Sequence, residues 1–142
     1  MKVILDANIF ISYLLATGQP RTVTRVVDAC LVTSSIELVI PRELLKEITE
    51  NVQGKEYLRT HISQEALDEL LAIITSVTTL PPPLDDIPSL SPDPDDDYLL
   101  AYGLIEEVDY IVTGDTALLA LGEFDSVKII QLRSFLDLLE EK

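Results

Sequence analysis

The sequence predicts a single α/β domain with a mainly parallel central sheet. Short apolar runs rich in β-branched residues alternate along the chain with segments whose apolar residues recur at helical spacing, a pattern typical of strand–helix–strand units. A length of 142 residues suits one domain with one core, and 47% of the residues are hydrophobic. Two predicted strands lead into aspartates, Asp6 and Asp115. Because ligands of such sheets bind beyond the carboxyl ends of the strands, these residues mark a candidate functional edge.

The first half of the chain predicts two strands and four helices. Pro41 occupies the first position of the third helix, where a missing N–H does no harm, and Gly54 ends that helix. Cys30 lies on the apolar face of the second helix, and we interpret it as a small core residue. The predicted elements are strands over residues 2–6 and 36–40 and helices over residues 9–16, 20–31, 41–54 and 55–61.

The second half predicts further strands and helices around a proline-rich connection. Ser63 caps a helix whose apolar residues include Leu67, Leu70 and Ile74. Threonine and valine then favour a strand, and three consecutive prolines break it. The predicted elements are the helix from Ser63, strands over residues 75–80, 108–112 and 127–130, and helices over residues 94–107, 116–122 and 132–139.

The charge of the chain is unevenly distributed. The net charge of −15 argues against a protein that coats nucleic acid. Fifteen acidic and no basic residues lie between positions 60 and 127, whereas positions 21–59 carry six of each. Those six cations are spaced i, i+4 on predicted helices, so each pair projects from one face. Ordinary solubilisation accounts for any single pair, whereas all three together fit a shared rim facing an anionic substrate: Arg21 with Arg25, Arg42 with Lys46, and Lys55 with Arg59.

Several functional classes are excluded by what the sequence lacks. A single cysteine rules out an internal disulfide framework and fits a reducing cytoplasm. No apolar run is long enough to span a membrane, and the N-terminus does not read as a signal peptide. One histidine and one cysteine make a zinc site or a histidine-based triad improbable, and no glycine-rich phosphate loop is present. An EF-hand starting at Asp93 fails because its sixth and twelfth positions are Tyr98 and Leu104.

The acidic run before residue 98 combines a helix start with a carboxylate that capping does not explain. Asp93 and Pro94 suit the N-cap and the first helical position, and Asp95 and Asp96 suit the first turn. Asp97 instead shares a helical stripe with the apolar residues at positions 100, 101 and 104. A charge on that stripe is unfavourable unless a cation or a strong donor compensates it. We therefore interpret Asp97 as functional.

Four acidic side chains thus fall where the predicted fold would bring them to one edge. Asp6 and Asp115 end strands, Asp97 begins a helix, and Glu47 lies beside the apolar stripe of the third helix, although a solvated helix face explains Glu47 equally well. Clustered carboxylates repel unless a cation neutralises them, and an all-oxygen site prefers Mg²⁺ or Mn²⁺. A divalent ion held in this way activates water for phosphoryl transfer or phosphodiester hydrolysis.

Four segments of the sequence, residues 3–12, 41–47, 93–101 and 111–115, carry a family resemblance. Together they resemble the PIN domain family, in the branch of the toxins of toxin–antitoxin pairs. The resemblance covers nearly the whole chain, and it implies a three-layer α/β/α fold, a Mg²⁺- or Mn²⁺-dependent endoribonuclease, an RNA substrate, a small antitoxin partner and a homodimer. It places Asp6, Glu47, Asp97 and Asp115 on the acidic quartet, the first, third and fourth as metal ligands. Asn8 and Ser12 fall on supporting polar positions, as do Asp93 and Asp96, and the spacing to Ala101 favours Asp97 over Asp96 as the ligand.

The sequence departs from the family pattern at two positions. Ala7 stands where the family commonly has threonine, and Ala117 offers no carboxylate where a further aspartate often follows. These departures leave a second interpretation open, in which the chain is a PIN-like protein-binding module with a weak or vestigial nuclease site.

Overall fold

A computed structural model of the chain describes residues 1–16, 21–78, 80–84 and 97–141. Within them lies one five-stranded sheet, and helices occupy the connections between its strands. The strands are β1 (Lys2–Leu5), β2 (Glu37–Leu38), β3 (Tyr110–Val112), β4 (Glu123–Phe124) and β5 (Val127–Ile130). The helices are α1 (Ala7–Leu15), α2 (Thr22–Val32), α3 (Arg42–Gly54), α4 (Glu56–His61), α5 (Gln64–Val77), α6 (Asp97–Ile105), α7 (Thr116–Leu121) and α8 (Leu132–Glu140).

The sheet order is β2-β1-β3-β5-β4, and every pair is parallel except β4 with β5. The connection from β1 runs toward one edge of the sheet, whereas those from β2 and β3 run toward the other. Right-handed crossovers in opposite directions place helices on both faces of a sheet. The chain is therefore a three-layer α/β/α sandwich, which confirms the predicted fold class.

The core is formed by the strands and by the inner faces of the helices. Val3, Ile4 and Leu5 of β1 are fully buried, as expected for a central parallel strand covered on both faces. Helix α6 is apolar nearly all round, and a Cβ added at its Gly103 would lie 3.2 Å from a side-chain atom of Ile111 in β3. Because glycine permits this close approach, α6 packs tightly against the sheet. Cys30 is buried, which confirms the prediction, and burial raises its pKa to about 12.

The strand predicted over residues 75–80 is wrong. Helix α5 continues through Val77, and the residues after it that the structure describes are not in a strand. The hydroxyls of Thr75 and Thr78 donate to the carbonyls of Leu71 and Ile74 at 2.9 Å and 2.6 Å. These bonds satisfy the hydroxyls within the helix. Residues 75–77 are exposed, so they gain no burial from joining the sheet, and the helix hydrogen bonds outweigh their strand propensity.

Smaller differences concern the ends of elements. Pro41 is the N-cap of α3, with an extended ψ of 148°, and the helix begins at Arg42 instead of at the proline. The strand expected over residues 36–40 is reduced to β2. Strand β4 was not predicted: it pairs with β5 in a hairpin whose loop contains Asp125 at a φ of 57°. Ser63 caps α5 as predicted, accepting from the N–H of Ala66 at 3.0 Å.

None of the helices in the described part of the chain combines the length and the apolar character that a membrane span needs.

Candidate active site

The candidate site lies where β1 and β3 end. β1 leads to β2 on one side and β3 leads to β5 on the other, so the carboxyl ends of β1 and β3 form the topological switch point of the sheet. Asp6 directly follows β1, and its backbone N–H donates to the carbonyl of Val112 in β3 at 3.0 Å. Thr113 directly follows β3. Strand pairing therefore brings Asp6 and Thr113 side by side at the edge that the sequence marks as functional.

The carboxylate of Asp6 is buried, with only 4% of the residue exposed. The hydroxyl of Thr113 donates to Asp6 Oδ2 at 2.6 Å, a length typical of a charge-assisted bond. Desolvation by burial raises the pKa of Asp6 above its usual value and the charge of Asp115 adds to that rise, whereas Thr113 and the backbone amides of Ala7 and Asn8 oppose it. No cation is among the groups that act on Asp6 in the described part of the chain. Within the described residues, the Asp6 carboxylate is thus bound by hydrogen-bond donors and by no cation.

Asp115 is the N-cap of α7, a role that the sequence interpretation missed. Its Oδ1 accepts from the backbone N–H groups of Ala117 at 2.7 Å and Leu118 at 3.2 Å. Its own N–H donates to the hydroxyl of Thr113 at 3.0 Å. The same Thr113 hydroxyl therefore fixes Asp6 and the backbone of Asp115, and it holds the two strand-end aspartates in one arrangement. The signal for the cap is an aspartate directly before a short apolar helix.

Asp97 is the first described residue of α6, and only 4% of it is exposed. Its neighbours at i+3 and i+4, Leu100 and Ala101, are buried as the sequence predicts. A buried carboxylate in a helix that is itself buried serves no solubilising purpose. Burial of Asp97 thus agrees with the interpretation that capping does not account for it.

Two carboxylates of α3 are fixed by tyrosines of α6. The hydroxyl of Tyr98 donates to Glu47 Oε1 at 3.2 Å, and the hydroxyl of Tyr102 donates to Glu43 at 3.1 Å and 3.2 Å. The two tyrosines are spaced i, i+4 on α6, and the two glutamates are spaced i, i+4 on α3, so one face of each helix meets the other. Glu47 is therefore half-buried and tied to the helix that begins with Asp97, which is not the solvated helix face considered as its alternative. The spacing of the two tyrosines is the signal that sequence analysis could have used, because buried tyrosine hydroxyls need partners.

Asn8 and Ser12 face a cleft of about 440 Å³ that begins beside Thr113. Its walls come from the first turns of α1, α7 and α8 and from the start of α2. Sequence analysis did not single out Arg133, the cation of this cleft. The polar lining residues are Asn8, Ser12, Thr113, Thr116, Gln131 and Arg133.

The six cations of the predicted substrate-facing rim do not form one patch of unpaired charge. Arg25 is ion-paired with Glu140 of α8, and Lys46 lies 3.8 Å from Glu50 on its own helix. Arg21 and Arg42 have no ion pair among the described residues. Arg42 lies close enough to Tyr102 for its charge to oppose the rise that burial causes in the tyrosine's pKa. Lys55 and Arg59 are exposed on and beside α4.

The comparisons with known proteins agree with this geometry. A protein-family model described as PIN domain matches residues 2–117, which include the ends of β1 and β3 and the helices α3 and α6 between them. The chain belongs to the PIN domain family. The sequence has no match among the curated proteins. Among solved structures, the PIN chain is similar to a chain of VapBC2 from Rickettsia felis bound to a DNA fragment from their promoter, with 14% identity and a TM-score of 0.60 over 92% of this chain and 98% of that chain. At that identity the likeness supports the fold alone.

The donors of the PIN site suit a hard divalent ion, although they are not drawn together as a complete cage. Among the described residues, no three His, Cys, Asp or Glu side chains are grouped to hold a metal. Asp6 and Asp115 are close enough for their charges to interact. Mg²⁺ is usually bound by one or two carboxylates with several waters and substrate phosphates, so this pair meets its minimum requirement. Asp93 and Asp96, the predicted supporting residues, lie outside the described residues.

Proposed function

We propose that this PIN-domain chain is a Mg²⁺- or Mn²⁺-dependent endoribonuclease and the toxin component of a toxin–antitoxin pair. The observation that carries the proposal is the buried Asp6 carboxylate, which has the charge of Asp115 nearby and no cation of the described chain acting on it. Such an arrangement is unfavourable for folding and is relieved by a bound cation. Perturbed carboxylates at a sheet switch point are typical of functional sites.

The residues divide the work of phosphodiester hydrolysis among them. Asp6, Asp97 and Asp115 would hold the divalent ion, which supplies a water of lowered pKa and stabilises charge on the attacking and leaving oxygens. Thr113 orients Asp6 by donating to Oδ2. Tyr98 fixes Glu47, which accepts or relays a proton of the attacking water. A bond from the water oxygen to phosphorus forms, the bond to the leaving ribose oxygen breaks, and that oxygen takes up a proton.

The departure at position 7 does not leave Asp6 without a hydroxyl. Ala7 contributes no hydroxyl, but Thr113 reaches the same carboxylate at 2.6 Å from the neighbouring strand. At the other departure, the backbone N–H of Ala117 binds Asp115 and helps to fix it. Both observations support an active nuclease over a vestigial one.

The test is cleavage of a panel of single-stranded and structured RNAs by the purified protein with Mn²⁺, Mg²⁺ or a chelator. Asp6→Asn, Asp97→Asn and Asp115→Asn should each reduce metal-dependent cleavage roughly a hundredfold or more, because metal-assisted steps contribute several kcal/mol. Asp96→Asn should be milder. Asp68→Asn changes an exposed carboxylate of α5 in the same way and should leave cleavage unchanged. Chelator-resistant cleavage, or full activity in Asp6→Asn, would refute the metal mechanism.

A protein-binding module with a vestigial site is the second candidate, and the absence of a three-residue metal group among the described residues favours it. It predicts no metal-dependent cleavage of any RNA in the panel. The antitoxin and the homodimer are tested separately, by co-expression with the product of any adjacent small open reading frame and by light scattering of the purified chain. A monomer that binds no such product would refute these two parts of the proposal.

A further inference from the structure

The cleft beside Thr113 differs in charge from the protein that contains it. The chain has a net charge of −15, yet among the described residues no carboxylate lines this cleft of about 440 Å³. Its charged lining residue is Arg133, and its remaining polar groups are hydroxyls and amides. Pockets of about 300 to 1,000 Å³ take small molecules of nucleotide size. The cleft therefore offers an anionic group an approach that the acidic surface elsewhere discourages.

Helix stability does not explain Arg133. It is the second residue of α8, where a cation opposes the helix dipole. Its Nε lies 3.4 Å from Asp137 Oδ1, but both side chains are more than half exposed, and a cation that precedes its acid by four residues is the weaker order of the pair. Within the described residues its terminal nitrogens have no partner. Gln131, the N-cap of α8, makes no side-chain capping bond to the first turn, and it lines the cleft beside Arg133.

The cleft also shares a residue with the carboxylate site. Thr113 lines the cleft and donates to Asp6. Ile9, Leu119 and Leu132 give the cleft an apolar part of its wall. An aromatic base packs against apolar side chains, and a guanidinium binds phosphate oxygens in a fork.

We propose that this cleft binds one nucleotide of single-stranded RNA next to the scissile bond, with Arg133 contacting its phosphate and the apolar wall contacting its base. The proposal rests on the proposed ribonuclease function and names the side of the carboxylates on which the strand lies. Arg133 is then a positioning residue: it holds the chain that Asp6 and its partners cleave. Thr113 couples the two parts of the site, because its hydroxyl is fixed on Asp6 while its side chain forms the wall between them.

The test measures binding of a short fluorescent single-stranded RNA by anisotropy, in an Asp6→Asn background that prevents cleavage. Arg133→Gln should weaken binding about tenfold at low salt and flatten the dependence of log affinity on log salt by about 0.7, the value for one phosphate contact on a single strand. Arg133→Lys should restore the salt slope. Lys128→Gln removes an exposed cation at the amino end of β5, outside the cleft, and should change neither quantity. Equal effects of Arg133→Gln and Lys128→Gln would overturn the proposal.

A steric variant gives an independent reading. A Cβ at Gly114 meets no atom within 4 Å, so Gly114→Val fills part of the cleft without disturbing packing. Gly54→Val makes the same change in open space at the end of α3, outside the cleft. Gly114→Val should weaken RNA binding at an unchanged melting temperature, and Gly54→Val should not. If the protein cleaves no RNA but binds it in an Arg133-dependent way, the proposal of a nucleotide-binding cleft stands and the proposed nuclease function is refuted. Normal metal-dependent cleavage with no effect of Arg133→Gln and Gly114→Val on binding would refute only the cleft.

Discussion

Replacing Asp6 by asparagine should stabilise the folded protein when divalent metal is absent. Asparagine has nearly the same shape as aspartate and can still accept from Thr113, but it carries no charge to desolvate and none to repel Asp115. Burial is the largest of the influences that raise the pKa of Asp6, and it outweighs the Thr113 bond that favours the ionised form. The substitution therefore removes a net unfavourable term.

The magnitude follows from the terms that change. Each unit by which the pKa of a group is raised on folding corresponds to about 1.4 kcal/mol against its charged form. The rise in the pKa of Asp6 is already net of the Thr113 bond, so the loss of that bond's charge-assisted part is not subtracted again. We expect a net gain on the order of 1 kcal/mol, or roughly 2–4 °C in melting temperature for a domain of this size.

The pH dependence of the gain fixes its origin. Below the usual Asp pKa of 3.8, the carboxyl is protonated in both the folded and the unfolded state, and its ionisation costs nothing. As the pH rises through that value toward the raised pKa of the folded state, the unfolded state loses its proton first and the wild type loses stability. The gain of Asp6→Asn should therefore be full at neutral pH and should shrink as the pH falls toward 4.

The assay is calorimetry of the wild type and of Asp6→Asn in a chelator at pH 7.5 and pH 4, with Asp68→Asn as the exposed control. Adding millimolar Mn²⁺ at pH 7.5 should then raise the melting temperature of the wild type more than that of the variant. Binding to the folded state alone contributes about 2.7 kcal/mol at a hundredfold excess over Kd. A variant less stable than the wild type at pH 7.5 would show that the Thr113 bond outweighs burial. Equal Mn²⁺ shifts would mean that the ion acts on diffuse surface charge.

Substitutions at three further places test neighbouring parts of the site. Tyr98→Phe removes the donor to Glu47 and should lower kcat several-fold with little change in fold, as measured by single-turnover cleavage. Asp115→Asn keeps a good N-cap and should lose cleavage but not stability, whereas Asp115→Ala should also lose about 1 kcal/mol by denaturant unfolding. Arg42 and Lys46 replaced together by Gln should flatten the salt slope of RNA binding by about one unit if this helix faces substrate, and an unchanged slope would remove it from the interface.

The fold could be predicted from the sequence because alternating periodicity and the topology rules for parallel sheets agree along most of the chain. The prediction failed where local propensity and packing disagree. Thr75 and Val77 have strand-forming side chains, but residues 75–77 are exposed and pair with no strand. The helix before them continues, and its hydroxyls bond back to helix carbonyls. Hairpin β4 was missed for a related reason, since a two-residue strand carries too little pattern to recognise.

The site was predictable where it depends on strand ends and not where it depends on side chains meeting across helices. Asp6 could be placed beside β3 from topology alone. The i, i+4 spacing of Tyr98 and Tyr102 indicates that their hydroxyls need partners. That Glu47 is the partner of Tyr98 could not be predicted, because it depends on the relative rotation of α3 and α6, which no single segment encodes. Arg133 was missed because it follows the last strand, beyond the segment of balanced charge at positions 21–59. Its significance depends on the absence of carboxylates among the described residues of the cleft that it lines.

The acidic positions also differ in how much of their presence local structure explains. Asp115 caps a helix, and a cap alone would justify an aspartate, an asparagine or a serine there. Asp6 and Asp97 are both buried, and burial raises the pKa of Asp6 although Thr113 and the backbone amides of Ala7 and Asn8 oppose that rise. Where the rest of a sequence agrees with its fold, residues that lower the stability of the folded state are expected at functional positions. The burial of Asp6 and Asp97 therefore supports the proposed site more directly than the total acidic charge does. Thr113 links Asp115 to Asp6, because its one hydroxyl binds the Asp6 carboxylate and the backbone N–H of Asp115.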